Sequence, residues 1–216
     1  MRQRKVRNKE EIFVRCAPWI ISDPTSCKGN WASVFPGSGR LFLEIGSGKG
    51  KFITSLAAAH PQYNFIAVEG GANIAVRILE KAEAAGSNNL LVITEYAEDL
   101  TRWFAPGETD GSYVNFCDPW PKLRHAERRL THRLRLAQYQ SITKPGSELA
   151  LKTDNQALFT FSLQEFQAAG LVLLEHTRDL YGDGHRPQQY TTEYEDKFSK
   201  EGKPICFARA ALHDRQ

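Results

Sequence analysis

The amino-acid sequence predicts an α/β fold with a doubly wound, mostly parallel sheet and an antiparallel last strand. Between residues 41 and 176, short apolar runs alternate with helical patterns, the order that builds a parallel sheet with helices on both faces. No helical pattern precedes the last apolar run, over residues 205–212, so we expect this strand to return antiparallel. The length of 216 residues and the 41% hydrophobic content suit one globular domain whose core needs no disulfide or metal.

The predicted strands are short apolar runs. The run at 41–45 has one polar residue and leads directly into glycines, as a buried strand does. The seven predicted strands are residues 41–45, 64–68, 90–93, 113–116, 148–152, 171–176 and 205–212. In such a sheet, ligands bind beyond the C-terminal ends of the strands, so the residues just after these strands are the candidates for a site.

The predicted helices lie between the strands and end at residues that break a helix. The segment 72–85 is rich in Ala, Leu, Lys and Glu and ends at Gly86, which suits a C-cap. The predicted helices are residues 50–59, 72–85, 97–104, 127–143 and 155–169. Taken alone, the polar run from residue 192 to residue 198 indicates one more helix start.

The first 39 residues differ in composition from the rest of the chain. Five of the first nine are Lys or Arg, and several prolines and glycines follow. We therefore expect residues 1–39 to form a basic N-terminal arm and linker, and residues 40–216 to form a single domain.

Composition and spacing exclude several classes of protein. No run approaches the roughly 18 consecutive apolar residues of a membrane-spanning helix, and no apolar run of signal-peptide type follows the N-terminus. The four cysteines form no CxxC pair, which suits a reducing cytoplasm and argues against a zinc site. The six histidines show no metal-binding spacing. We expect a cytoplasmic protein without a metal or membrane partner, either a monomer or a homodimer.

The basic residues form two clusters, although the net charge is only +3. One cluster is the N-terminal arm, and the other runs from Lys122 to Arg135. Two such clusters suit a polyanionic partner. The alternative is that one cluster is a solvated tail and the other a solvated helix face, which would have the same composition.

Three glycines, Gly46, Gly48 and Gly50, follow the first predicted strand and allow a tight turn close to a ligand. The third comes one residue earlier than in the dinucleotide-binding GxGxxG motif, and Glu44 precedes the first. A carboxylate there repels phosphate and favours a cationic ligand such as S-adenosylmethionine. An ordinary tight turn is the structural alternative for the glycine segment.

Glu69 ends the second strand, where a carboxylate accepts both ribose hydroxyls of S-adenosylmethionine or of NAD.

The most distinctive segment is NFCDPWPK, residues 115–122. The prolines on both sides of Trp120 predict a stiff, extended loop at a strand end. Trp120 is suited to stacking on a flat nucleobase, and Asp118 to accepting hydrogen bonds from ring N–H groups. The alternative is a rigid loop whose Trp120 packs on the core.

Together, four ordered motifs resemble those of the bacterial tRNA (guanine-N7-)-methyltransferase family, which has the Rossmann-like class I methyltransferase fold. They are EIGSGKG at 44–50, NFCDPWPK at 115–122 with His125 and Arg128–Leu130, KTDN at 152–155 with Leu158 and Phe159, and TEYE at 192–195 with Lys197 and Phe198. The resemblance covers roughly residues 40–212.

The resemblance implies methyl transfer from S-adenosylmethionine to N7 of guanine 46 in the tRNA variable loop, with Asp118 as the catalytic residue. The cofactor-binding set is Glu44, Gly46, Gly48, Glu69, Tyr96 and Asp118. The substrate-binding set is Lys122, Asp154, Thr192, Glu193, Tyr194 and Glu195. The RNA-binding set is Arg124, His125, Arg128 and Arg129. Tyr96 departs from the family, which usually has an acid or amide there.

Other functions remain compatible with these residues. One is an S-adenosylmethionine-dependent methylase of an exocyclic DNA amine or of a protein, because DPWP is not far from the DPPY pattern of amino methylases. Another is an RNA-binding module without activity, against which the three acids Glu44, Glu69 and Asp118 argue. A third is a nicotinamide oxidoreductase, although no hydride-transfer residues accompany the glycine turn.

Overall fold

The computed structural model describes residues 6–183 and 190–213. The strands are β1 (Ile20–Ile21), β2 (Leu41–Ile45), β3 (Asn64–Val68), β4 (Leu90–Ile93), β5 (Thr109–Asn115), β6 (Thr143–Thr153), β7 (Val172–Thr177) and β8 (Cys206–Ala211). The α-helices are α1 (Lys9–Arg15), α2 (Trp31–Val34), α3 (Lys51–Ala59), α4 (Ala72–Ala85), α5 (Arg133–Ile142), α6 (Gln156–Ala168) and α7 (Glu193–Lys200). The basic residues Arg2, Arg4 and Lys5 of the predicted arm lie outside the described residues.

The strands form one sheet in the order β1-β4-β3-β2-β5-β6-β8-β7. Neighbouring strands are parallel throughout, except that β8 runs antiparallel to both β6 and β7. The predicted mostly parallel sheet with an antiparallel last strand is therefore confirmed. The sequence did not indicate that β8 inserts between β6 and β7 and leaves β7 at the edge.

Helices cover both faces of the sheet. Alternate residues of a strand point to opposite faces, and in β3 they enter two different core clusters. Phe65 and Ala67 pack with α1, α3 and α4, whereas Ile66 and Val68 pack in the cluster that contains α2, α5 and α6. This division confirms the doubly wound arrangement.

Residues 9–35 pack on this sheet, although their sequence pattern indicated neither helix nor strand. β1 pairs with β4, and Ile12 of α1 is buried in the same cluster as α4. Trp31 is 1% exposed, its ring stacks on Phe104 at 5.0 Å, and its Nε1 donates to the Trp103 carbonyl at 2.8 Å. Elements as short as β1 and α2 are too brief for periodicity to detect. The domain boundary at residue 40 stays a prediction.

Several predicted element boundaries were wrong, and β5 begins at Thr109 instead of residue 113. β6 begins at Thr143 and continues through Pro145, which a register shift in β5 between Thr109 and Gly111 accommodates. The predicted helix at 127–143 begins only at residue 133, because Arg129 has an extended backbone and His132 caps α5. Of the predicted helix at 97–104, residues 100–102 form a 3-10 turn.

The parallel strands bring their C-terminal ends to one edge of the sheet. The segments after β2, β3, β4, β5 and β6 therefore lie side by side at this edge, and they contain most of the predicted site residues. Across the described ranges, no helix has the length and apolar character needed to span a membrane.

Candidate active site

The glycine turn connects β2 to α3. Gly46, Gly48 and Gly50 have φ angles of 75°, 55° and 79°, a region that favours glycine. A Cβ added to Gly46 would lie 3.3 Å from Cδ1 of Leu130, so the segment after β5 lies directly against the turn. The glycine turn and the segment after β5 are therefore neighbours, and we call the space beside them at this sheet edge the cleft.

Glu44 is the acid that precedes the turn, and it is only 1% exposed. Its Oε1 accepts a hydrogen bond from Asn115 Nδ2 at 2.8 Å, whereas its buried Oε2 has no hydrogen-bond partner among the described residues. Burial raises the pKa of Glu44 to about 8, which the bond from Asn115 partly opposes. A buried carboxylate oxygen without a donor is chemically suited to a cationic ligand group.

Glu44→Gln is expected to remove a pH dependence of stability. Because the folded-state pKa of Glu44 is raised, the wild type loses stability as the pH rises from about 5 to about 8, where the unfolded chain binds fewer protons. The glutamine side chain does not ionise, so the stability of Glu44→Gln relative to wild type should increase as the pH rises from about 5 to about 8. Urea unfolding of both proteins at the two pH values measures the difference. A constant difference would show that Glu44 ionises normally in the folded protein.

Glu69 ends β3 and connects two backbone segments. Its Oε2 accepts from the Gly48 N–H at 2.9 Å and its Oε1 from the Gly71 N–H at 2.8 Å. Burial raises the pKa of Glu69, and the negative charge of Asp118 acts in the same direction. The charge of Asp118 therefore adds to the electrostatic environment of Glu69.

Tyr96 lies beside a cavity of about 370 Å³ that is also lined by Thr94, Glu95 and Glu98. The side chain is 70% exposed, and its ring packs on Gly70, where an added Cβ would overlap the ring. This aromatic surface stands at the end of β4 in place of the acid or amide that the resemblance implied.

The loop after β5 has a strained backbone. Phe116 and Trp120 have φ angles of 50° and 40°, which non-glycine residues rarely adopt. The Asp118 side chain between them is exposed, and it follows β5 at the same sheet edge as the glycine turn.

Two adjacent arginines contact this loop in different ways. Arg129 is 8% exposed, donates to the carbonyls of Pro119 at 3.1 Å and Trp120 at 3.0 Å, and lies 4.2 Å above the Phe161 ring. Arg128 is exposed and lies 4.9 Å from the Trp120 ring. The predicted RNA-binding residue Arg129 therefore holds the loop from inside, whereas Arg128 faces outward.

The predicted substrate-binding residue Lys122 and the predicted RNA-binding residues Arg124 and His125 lie just before and on the 3-10 helix Leu123–Arg128. Lys122 and Arg124 are exposed, and His125 is half-buried with its ring edge against Trp120. Asp154 follows β6 and is half-buried; the N-cap of α6 is Asn155, whose Oδ1 accepts from the Leu158 N–H at 2.8 Å. Asp154 therefore does not cap α6.

The TEYE segment begins α7 with a capping box between Thr192 and Glu195. Glu195 is fully buried and pairs with Lys152, and Glu193 pairs with Lys81. Tyr194 is 47% exposed and stacks on Phe116 with ring centroids 6.3 Å apart. Of these predicted substrate-binding residues, Tyr194 offers the most surface to a ligand.

Sequence reasoning missed Asn115 and Lys152 as members of the site. Asn115 binds Glu44, and Lys152 is buried at the end of β6. The sequence did carry a signal for Lys152, because this lysine directly follows the apolar residues Leu149, Ala150 and Leu151 of the predicted strand. In the chain as described, no three His, Cys, Asp or Glu side chains cluster closely enough to hold a metal ion.

Proteins of known structure share this fold. The 16S rRNA (adenine(1408)-N(1))-methyltransferase of Catenulisporales acidiphilia is similar with a TM-score of 0.59 at 16% identity, covering 90% of this chain and 93% of that one. The 16S rRNA methyltransferase KamB is similar with a TM-score of 0.60 at 14% identity, covering 81% and 88%. The chain therefore has the class I methyltransferase fold.

Sequence comparison specifies the family within this class. Residues 38–208 match a family described as "putative methyltransferase". The tRNA (guanine-N(7)-)-methyltransferase of Geobacillus kaustophilus is 43% identical over 215 residues, which are 98% of this chain and 99% of that protein. The enzyme of the same name from Streptococcus suis is 39% identical over 205 residues, covering 95% and 96%. The chain belongs to the bacterial tRNA (guanine-N(7)-)-methyltransferase family.

Proposed function

We propose that this protein transfers the methyl group of S-adenosylmethionine to N7 of guanine 46 in the variable loop of tRNA, in the cytoplasm. Family membership supports the reaction, since the named relatives are tRNA (guanine-N(7)-)-methyltransferases. The observation that carries the proposal is the pairing of two acids at one sheet edge. Glu44 has a buried oxygen with no partner in the described part of the chain, and the exposed Asp118 follows the neighbouring strand β5 at the same edge.

The residues on the glycine-turn side fit the proposed methyl donor. S-adenosylmethionine supplies a methyl group that its sulfonium charge activates for transfer. The unpartnered Oε2 of Glu44 suits a cationic amino group, and the carboxylate of Glu69 suits ribose hydroxyls. The cavity beside Tyr96 offers a ring surface for adenine in place of a side-chain carboxylate or amide.

The residues on the loop side fit a purine that becomes positively charged. Guanine N7 has a lone pair and no proton, so its attack on a methyl group needs no general base. The Asp118 carboxylate would favour the positive charge that develops on the ring, and the cleft would align the reacting atoms. Asp154, which directly follows the neighbouring strand β6, would accept from the N–H edge of the same base.

Lys122, Arg124 and Arg128 give the cleft a basic rim. These side chains are exposed and follow the Asp118 loop directly, so tRNA phosphates can approach them while a base enters the cleft. His125 packs on Trp120 and joins the rim to the loop.

Arg128→Met and Arg129→Met are expected to have different effects. Loss of the outward-facing Arg128 should reduce the salt slope of tRNA binding by about one unit and leave kcat near the wild-type value. Loss of Arg129 should lower kcat about tenfold with little change in the salt slope, because the Trp120 backbone loses its buried donors. Filter binding over a salt series and single-turnover rates measure both. Equal salt slopes for the two variants would contradict this assignment.

The direct test is incubation with labelled S-adenosylmethionine and an unmodified tRNA transcript, followed by chain cleavage at 7-methylguanine. We expect label in one guanine of the variable loop, and none in a matched transcript with adenine at that position. Nucleoside analysis showing a methyl group on an exocyclic amine, or no transfer to RNA, would overturn the proposal.

A further inference from the structure

Lys152 is a buried cation at the C-terminal end of β6. Its side chain is 3% exposed, and its Nζ lies 3.0 Å and 2.9 Å from the two carboxylate oxygens of Glu195, which is fully buried. The same Nζ donates to the Tyr190 carbonyl at 3.3 Å. Burying two ions costs more than a well-packed apolar pair of similar volume, so stability alone does not explain this pair beside the cleft.

Glu195 connects Lys152 to the start of α7. Its Oε1 accepts from the Tyr181 hydroxyl at 2.7 Å, and its Oε2 from the Thr192 N–H at 3.3 Å. The Glu195 N–H donates to Thr192 Oγ1 at 3.0 Å. A displacement of the Glu195 carboxylate would therefore displace the first turn of α7, including Tyr194.

Lys152 also lies next to the donor side of the cleft. It is the register partner of Asn115, which donates to Glu44. The positive charge of Lys152 lowers the pKa of Glu44, against the larger effect of burial. One side chain thus faces both the acid beside the glycine turn and the helix that begins with TEYE.

The other ion pairs of α7 are weaker anchors. Lys81–Glu193 and Lys51–Asp196 join α7 to α4 and α3, and each of these four side chains is about one-third exposed. Ion pairs with this exposure contribute little to stability. Phe198 packs against Leu180 at the far end of α7. The buried pair is therefore the contact that fixes the N-terminal end of α7.

We propose that Lys152 is a positioning residue for the tRNA base. It holds Glu195, and through Glu195 the first turn of α7, against the end of β6, so that Tyr194 and its neighbours face the cleft. This inference rests on the proposed function for its kinetic consequence, whereas the placement of α7 can be measured without any reaction.

The kinetic test compares Lys152→Met with Lys152→Arg. The methionine variant should raise KM for tRNA at least about tenfold, with the Kd for S-adenosylmethionine changed less than about threefold. The arginine variant retains a cation for Glu195 and should return KM to within about threefold of wild type. Lys144→Met is the matched control, because Lys144 is half-exposed on the same strand and pairs with Asp110 at 2.9 Å, away from the cleft.

The second measurement is hydrogen exchange of the α7 amides. Lys152→Met should accelerate exchange in residues 193–200 more than elsewhere, and Lys144→Met should not. If the unpaired Glu195 charge unfolds this variant, Lys152→Met with Glu195→Gln removes the charge and should show the same local acceleration. Unchanged exchange in α7, or equal losses of donor and tRNA binding, would overturn the role of Lys152. Accelerated exchange in a protein that methylates no tRNA would instead overturn only the proposed function.

Discussion

Asp118→Ala is expected to lower kcat for methyl transfer at least about 100-fold while changing tRNA affinity less than about threefold. In the proposed mechanism the carboxylate lies beside the purine, and its contribution is largest when the purine becomes cationic. The tRNA contacts of the basic rim do not depend on it. Single-turnover rates with saturating donor and tRNA measure kcat, and filter binding measures affinity.

Two variants control this measurement. Asp118→Asn retains the shape and an acceptor oxygen but not the charge, so a large loss of rate in this variant assigns the effect to charge. Asp23→Ala removes an exposed carboxylate whose Oδ1 accepts from the Thr25 N–H at 3.0 Å. Asp23 follows the edge strand β1, which β4, β3 and β2 separate from β5, so this variant should leave kcat unchanged. A wild-type rate in Asp118→Ala would remove Asp118 from the site.

Trp31→Ala is expected to lower the free energy of unfolding by about 3–5 kcal/mol. The indole is 1% exposed, stacks on Phe104 and donates to a buried carbonyl, so its removal leaves both a cavity and an unpaired acceptor. Urea unfolding followed by circular dichroism measures the loss.

Val14→Ala is the matched control for Trp31→Ala. Val14 lies in the same N-terminal region and is 78% exposed, so its truncation should change stability by less than about 0.5 kcal/mol. A loss below about 1 kcal/mol in Trp31→Ala would show that residues before 40 behave as the linker that their composition predicted.

The strands that carry the site could be predicted because their signals are local. The run at 41–45 is apolar and ends in glycines, and it forms β2 with the bounds predicted. Parallel order then places the residues after β2 and β5 at one edge without further information. The antiparallel direction of β8 was predicted correctly, but the premise was wrong, because the helix α7 precedes β8 in the structure.

The features that sequence reasoning missed depend on contacts between distant residues. Arg129 belongs to a basic run, and only the fold shows that its guanidinium turns inward to the carbonyls of Pro119 and Trp120. Lys152 becomes informative only once Glu195, 43 positions later, is placed against it. The first turn of a helix and the position of a buried ion pair are tertiary properties that periodicity does not encode.

The insertion of β8 between β6 and β7 has a consequence for how the protein is made. β7 pairs in the sheet with β8 and lies at the edge, so it has no neighbouring strand until residues 206–211 have emerged from the ribosome. β1 to β6 are synthesised earlier and can associate while translation continues. The nascent chain therefore exposes the unpaired edge of β6 during synthesis, and this edge is where premature aggregation would begin.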